Sequence, residues 1–339
     1  MKAITSFSAL FFRVKFKLLK RWYKNNPAPY LQNVREHMLC DKYRLFEFRL
    51  PPKTPRIVVY MTEGTEFTGI ADRLRCMVSA YVTAKENGRD FYIFHNKDFV
   101  LEKYLEPADT DWRINESQIR RGLNNVSFLW FLKSWPVLNP ARREYHYYWG
   151  NLLDKDLILP PAIQGKYTFS SAFWSLFKMS SQLERLVNES MSTAGLVEND
   201  YVAVHIRFLN FFEAVEERCN AVDGTASKEE QLLMLQRVAK TLDFIYKQYG
   251  KRIILFSDSN RFLTSEHADY CTYLPGQVGH VLRNSHNDQI ISKAFVDLFI
   301  ISKAKTVISI TGENIYGGGF SWTAAYIGGK PFVKIPLVE

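Results

Sequence analysis

The sequence predicts an α/β protein whose C-terminal half is a parallel sheet covered by helices on both faces. Three observations carry that expectation. Short runs of β-branched and aromatic residues, such as Tyr201 to Ile206 and Arg252 to Ser257, alternate with longer stretches of helical periodicity. These runs are apolar throughout instead of alternating with polar residues, as strands buried on both faces require. Several of them end in a polar or charged residue, the place where open α/β sheets bind their ligands.

The strand that organises the rest is Asp200-Tyr-Val-Ala-Val-His-Ile-Arg207. His205 and Arg207 are two apart, so on a strand they share a face. A guanidinium is always charged and its planar fork matches phosphate oxygens, so Arg207 at such a tip points to an anion, most simply a nucleotide diphosphate. The plainer reading is a strand-end arginine paired with a carboxylate and a core histidine, and this stretch alone does not choose between them.

The chain has 339 residues, 47% of them hydrophobic, enough for one large core or two moderate ones, and two domains are expected. Pro160-Pro161 and Gly165 mark the junction, which gives a domain over 51–165 and another over 166–339. A balance of 44 Lys+Arg against 35 Asp+Glu leaves a net charge of +9, which suits an anionic partner. Cys40, Cys76, Cys219 and Cys271 are far apart without a C-x-x-C, which argues against a zinc site or a disulfide framework and fits a reducing cytoplasm. No apolar run reaches the ~18 residues of a membrane span, and the N-terminus lacks the order of a secretory signal, so export is not expected.

Residues 1–50 form a basic N-terminal segment, and residues 1–24 contain no acid but many Phe, Leu, Lys and Arg. Two readings fit: a helix lying peripherally in the headgroups of an anionic membrane, and a core-covering helix with a solvated basic face. Arg56 to Met61 reads as a strand, 62–69 as a loop, Ile70 to Asn87 as a helix stopped by Gly88, and Phe91 to His95 as a second strand. Val126 to Leu132 predicts a third strand, and Tyr145 to Trp149 an aromatic cluster. Asp109-Thr-Asp111 matches a metal-holding D-x-D, but Leu-Glu-Pro-Ala precedes it instead of an apolar strand. A solvated turn with a helix cap at Asp111 is expected, and no metal.

Further on, Phe173 to Leu196 predicts one long helix. Helices are then expected over 232–249, 260–268, 288–304 and 322–327, and strands over 252–258, 271–274, 306–310 and 332–335. Three strand ends of this half are friendly to anions: His205 with Arg207, Ser257-Asp258, and the glycine loop from Gly317 through Gly319 and Phe320 to Ser321. Asp258 can accept from purine nitrogens or ribose hydroxyls, and glycine N–H groups with the Ser321 hydroxyl can hold a phosphate. Gly319-Phe-Ser321-Trp-Thr323 is not a hydrolase elbow, since no His follows residue 286. A G-x-x-x-x-G-K-[ST] phosphate loop is likewise missing.

Three motifs resemble the fucosyltransferase-like glycosyltransferases of GT-B architecture. They are Gly69-Ile-Ala-Asp72-Arg73-Leu74, His205-Ile-Arg207, and Phe256-Ser-Asp258 coupled with Asp297 to Lys305 and Gly319-Phe-Ser321-Trp322. The resemblance implies two Rossmann-like domains facing a central cleft and inverting transfer of fucose from GDP-fucose to a glycan acceptor without a metal or other cofactor, as in polysaccharide biosynthesis. It also implies that Arg207 binds the β-phosphate, that His205 and Asp258 bind guanine or ribose, and that Gly319, Phe320 and Ser321 bind the phosphates. Gly69, Asp72 and Arg73 would line the cleft from the other domain. Many members follow His-x-Arg with a second arginine and then an acid, whereas this chain has Phe208 and Asn210. The catalytic base is therefore sought at Glu213, with Glu216 behind it. A different nucleotide sugar, or a non-catalytic nucleotide- or glycan-binding protein, is the alternative, and nucleic acid is not expected as a partner.

Overall fold

In a computed structural model the fold is described for residues 43–44, 47–62, 69–122, 124–130, 135, 138–149, 163, 165–213, 225–281, 284 and 286–338. The basic segment 1–24 and Glu216 lie outside them. The first elements are β1 (Arg56–Met61), α1 (Ile70–Glu86), β2 (Asp90–His95), β3 (Leu105–Pro107), β4 (Val126–Trp130) and β5 (Glu144–Trp149). Next come α2 (Phe169–Leu176), β6 (Phe177–Met179), α3 (Ser181–Thr193), β7 (Val202–Ile206), α4 (Lys228–Tyr249) and β8 (Ile253–Ser257). The chain continues with α5 (Asn260–Leu263), β9 (Cys271–Tyr273), α6 (Asp288–Ser302), β10 (Thr306–Thr311), α7 (Gly319–Gly328) and β11 (Phe332–Pro336).

Two compact units share these elements. The first comprises residues 1–67, 79–95 and 112–159, and the second 68–78, 96–111 and 160–339. In place of the single junction expected at 165, the chain passes between the units several times, and α1 contributes residues to both.

The first unit contains a parallel sheet in the order β2-β1-β5-β4. Its strand β1 is buried along its whole length, which is why the run Arg-Ile-Val-Val-Tyr-Met carries no polar alternation. The aromatic run from Tyr145 forms β5, between β1 and β4, with Tyr147 fully buried. Opposite the start of β1, Glu144 is fully buried and accepts from Arg56 Nε at 3.0 Å and Nη2 at 2.7 Å. His146 bonds the same carboxyl at 2.9 Å, and the Tyr43 hydroxyl bonds the far side of that imidazole. Burial alone would raise the Glu144 carboxyl, but the His146 and Arg56 contacts outweigh it and hold it below the usual range.

The second unit contains a five-stranded parallel sheet in the order β11-β10-β7-β8-β9. One face packs Val202, Val204, Ile206, Ile253 and Leu255 against Met234 and Val238 of α4. Helix α4 begins four residues before the expected start because Ser227 and Glu230 form a reciprocal capping box. It ends at Gly250, whose φ of 58° is left-handed backbone that glycine adopts without a steric penalty.

Three local expectations change. The helix expected over 173–196 is two helices, interrupted where Phe177–Met179 pairs antiparallel with β3, and Ser180 restarts the chain by accepting from Leu183 N at 3.2 Å. No helix starts at Asp111; Leu105–Pro107 is a strand, and the next helical turn, Glu116–Gln118, is capped by Asn115. The helix expected from Asn260 to Ala268 is the single turn α5, and α7 starts at Gly319 instead of Trp322, absorbing half of the glycine loop.

Candidate anion site at the switch point of the second sheet

Strand order fixes where a ligand would sit. From β7 the chain adds β8 and β9 on one side and then returns to add β10 and β11 on the other. The order therefore reverses between β7 and β10, and in open α/β sheets the carboxyl ends of two such strands are where a ligand crevice forms. His205 lies on β7 opposite Ser309 of β10, Arg207 follows the end of β7, and α7 begins shortly after β10. The sheet thus brings together His205, Arg207, Gly319, Phe320 and Ser321.

Arg207 runs against the start of α7. A Cβ on Gly318 would lie 3.1 Å from Arg207 Cδ and 3.4 Å from Nη1, so the arginine packs closely on this glycine, whose φ of −73° is ordinary. The Arg207 carbonyl accepts from Tyr316 N at 2.8 Å, tying β7 to the glycine segment. Gly318 is the N-cap of α7 and contributes no side-chain bond to it. The first-turn N–H groups of a helix have no intrahelical acceptor, and with an arginine beside them they have the chemistry that suits an anion.

His205 is buried, its ring 5.8 Å from that of Phe320, and its Nδ1 has no hydrogen-bond partner. Burial, reinforced by the charge of Arg207, lowers its pKa to about 3, so it stands as a neutral imidazole. Ser321 Oγ and Ser309 Oγ are also buried without a partner. Such orphaned atoms on Ser321 in the first turn of α7, on His205 against Phe320 and on Ser309 opposite His205 are unusual in a folded interior.

Asp258 stands beyond the end of β8, and its two oxygens accept from Phe208 N and Leu209 N, each at 2.9 Å. These bonds hold the turn after β7, where Leu209 takes a left-handed φ of 53° that a branched side chain adopts only at a steric penalty. Arg207 Nε is 3.9 Å from Asp258 Oδ2. Burial lifts the Asp258 carboxyl to about 6 against the pull of the two N–H groups and of Arg207. Its visible contacts thus hold the turn after β7, with Arg207 at the edge of ion-pair range. Phe208, where many glycosyltransferases of the resembling type carry a second arginine, is a core residue packed edge-on against Phe212.

The remaining expected residues divide. Gly69 immediately precedes α1, and its carbonyl accepts from Arg73 N at 3.3 Å. Arg73, expected to line a cleft, is instead buried: it pairs with Asp98, donates to Lys97 O at 3.1 Å and lies 5.5 Å from the Phe99 ring. Its guanidinium therefore braces residues 97–99. Asp72 pairs with Arg75. Glu213 accepts from Arg261 N at 3.2 Å at the start of α5. Asp297 is buried against Lys293 Nζ, with its second oxygen at 2.6 Å.

One residue of the site went unnoticed in the sequence. Arg75 Nη1 donates to Gly319 O at 3.2 Å and to Thr323 Oγ1 at 2.9 Å, and its guanidinium lies 4.3 Å from the centre of the Trp322 ring. Among the described residues, no three His, Cys, Asp or Glu side chains gather as a metal site, and no helix is long and apolar enough to cross a membrane.

No protein-family model matches the chain, and no curated protein does. Solved structures do. NodZ α-1,6-fucosyltransferase in crystals soaked with GDP-fucose aligns at a TM-score of 0.51 and 13% identity, over 81% of this chain and 93% of that one. NodZ from Bradyrhizobium aligns at 0.51 and 14% identity, over 80% and 92%. NodZ co-crystallised with GDP gives 0.50 and 13%, over 81% and 92%. With two parallel sheets in an α/β chain, the reversal of strand order between β7 and β10 and these alignments, the chain has the fold of the fucosyltransferase-like glycosyltransferases.

Proposed function

We propose that the protein is a glycosyltransferase that moves fucose from GDP-fucose to a glycan acceptor with inversion. The carrying observation is the Arg207 side chain laid against Gly318 at the open N-terminus of α7. Two sources of positive potential converge there, where charge would build on a departing diphosphate. In an inverting displacement, the acceptor oxygen attacks the anomeric carbon as its bond to the β-phosphate oxygen breaks. Donors aimed at the leaving group lower that barrier. The neutral His205 beside Phe320 offers Nδ1 to the nucleotide, and Asp258 holds the turn after β7. Glu213 is the base proposed to take the acceptor proton. The reading carries no metal requirement, and transfer that persists in EDTA checks that part.

Calorimetry with GDP, UDP and ADP tests the donor site. GDP binding tightest is the expected result, and equal or absent binding of all three would remove the reading. Hydrolysis of GDP-fucose, or transfer to an acceptor panel, then tests turnover. A second reading, a nucleotide-binding protein without catalysis, is favoured by the burial of Phe208 in the core directly after Arg207. GDP binding without hydrolysis or transfer would select it.

A further inference from the structure

Arg75 comes from α1 yet grips the first turn of α7. One guanidinium reaches the Gly319 carbonyl, the Thr323 hydroxyl, the Asp72 carboxylate and the face of Trp322. Thr323 Oγ1 itself donates to Gly319 O at 2.6 Å, so this one carbonyl is held from two sides. The Gly319 carbonyl and the Phe320 N–H belong to the same peptide unit, which is planar. Fixing the direction of one fixes the direction of the other. The Phe320 N–H is among the first-turn donors that no helical carbonyl can satisfy.

A cation near a helix N-terminus opposes the helix dipole, so its presence here calls for a reason. Asp72 offsets its charge, and glycine at 319 makes room for it: a Cβ there would lie 3.1 Å from Arg75 Cζ. At the neighbouring residue Arg207 lies against Gly318, and the orphaned His205 Nδ1 belongs to a ring packed on Phe320. Consecutive glycines thus admit two arginine side chains at one helix start.

Resting on the donor reading above, we infer that Arg75 is a positioning residue for the nucleotide diphosphate. It acts through α7 by setting the direction of the Phe320 N–H toward the phosphates. Its two Nη groups engage Gly319, Thr323 and Asp72, which is how it grips the first turn of α7.

The test compares GDP with guanosine, which lacks the phosphates, on the wild type, Arg75→Met and Thr323→Val. Loss of a well-aimed N–H on a charged oxygen weakens GDP binding roughly tenfold in Arg75→Met, with guanosine binding changed by less than about twofold. Thr323→Val is nearly isosteric and leaves every charge in place. It removes one acceptor of Arg75 and one bond to Gly319 O, and produces the same selective loss to a smaller extent. If Arg75→Met does not fold, Thr323→Val decides. Wild-type binding of GDP with unchanged affinity in the folded variants, or a proportional loss of GDP and guanosine, overturns the positioning role and leaves the donor site standing. Absence of GDP binding to the wild type overturns both.

Discussion

Replacing His205 with leucine removes an imidazole that is buried beside Arg207 with Nδ1 unpartnered. In the folded protein its pKa falls to about 3, from the ordinary 6.5 it regains on unfolding. Between those values the unfolded chain binds a proton that the folded chain refuses. The contribution is therefore fully present above pH 6.5 and is lost as pH falls. At pH 5 the loss is 1.5 pH units below the unfolded pKa, or about 2 kcal/mol at about 1.4 kcal/mol per unit. Asp258 runs the other way. Its folded pKa of about 6 exceeds the ordinary 3.8, so its contribution is present at low pH and is lost as pH rises through 6. At pH 5 it amounts to about 1 kcal/mol in favour of folding. The two offset each other in the wild type, and single variants separate them. Urea unfolding at pH 7.5, 6.5, 5.5 and 5 should show His205→Leu gaining about 2 kcal/mol on the wild type across the range, and Asp258→Asn falling behind by about 1 kcal/mol. Titration of imidazole C–H resonances reports the same histidine directly, with no inflection expected for His205 above pH 5. A stability difference between His205→Leu and wild type that stays constant with pH would refute the claim that the site holds a neutral, desolvated imidazole.

Arg207→Ala should weaken GDP binding by about 1.5 to 3 kcal/mol, the worth of a hydrogen bond to a charged group, with little change in the thermal midpoint; calorimetry beside a melting curve checks both. Gly318→Ala pushes a methyl to within 3.1 Å of Arg207 Cδ and should impair GDP binding while leaving backbone order intact, as read by circular dichroism and calorimetry together. Arg56→Met strips the arginine from the buried Glu144 in the first unit and should destabilise that unit by about 3 to 5 kcal/mol, measured by urea unfolding. Ser180→Ala removes the cap of α3 and should cost about 1 kcal/mol, visible as a lowered midpoint.

How much of this could be read from residues alone follows from the range of each interaction. Strands β7 and β8 were legible because burial on both faces demands a continuous apolar run, and the polar residues that break it, Arg207 and Asp258, mark their carboxyl ends. The α1 helix and its stop at Gly88 were legible from periodicity. The break between α2 and α3 was not, because Phe177 and Met179 fit a helical pattern as well as a strand, and the pairing with Leu105–Pro107 that decides the matter is a tertiary contact. Ser180 was the one local hint. The duty of Asp258 was hidden because its partners are backbone N–H groups 49 and 50 residues away, which leave no trace in residue type. Arg75 was missed for a similar reason. It sits between Leu74 and Cys76 as an unremarked cation on a helix, and its acceptors lie 244 and 248 residues further along.

That separation bears on how the protein is made. A ribosome adding about 5 to 20 residues per second releases Arg75 roughly 12 to 50 seconds before Thr323, 248 residues later, has been polymerised. Residues 68–78 and 96–111 belong to a unit whose larger share, 160–339, does not yet exist when they emerge. During that interval Tyr104, which ends stacked 4.4 Å from Phe295, has no such neighbour to cover it. Synthesis from the N-terminus therefore cannot finish one unit before starting the other, and a fragment beginning at residue 160 would lack the arginine that steadies the first turn of α7.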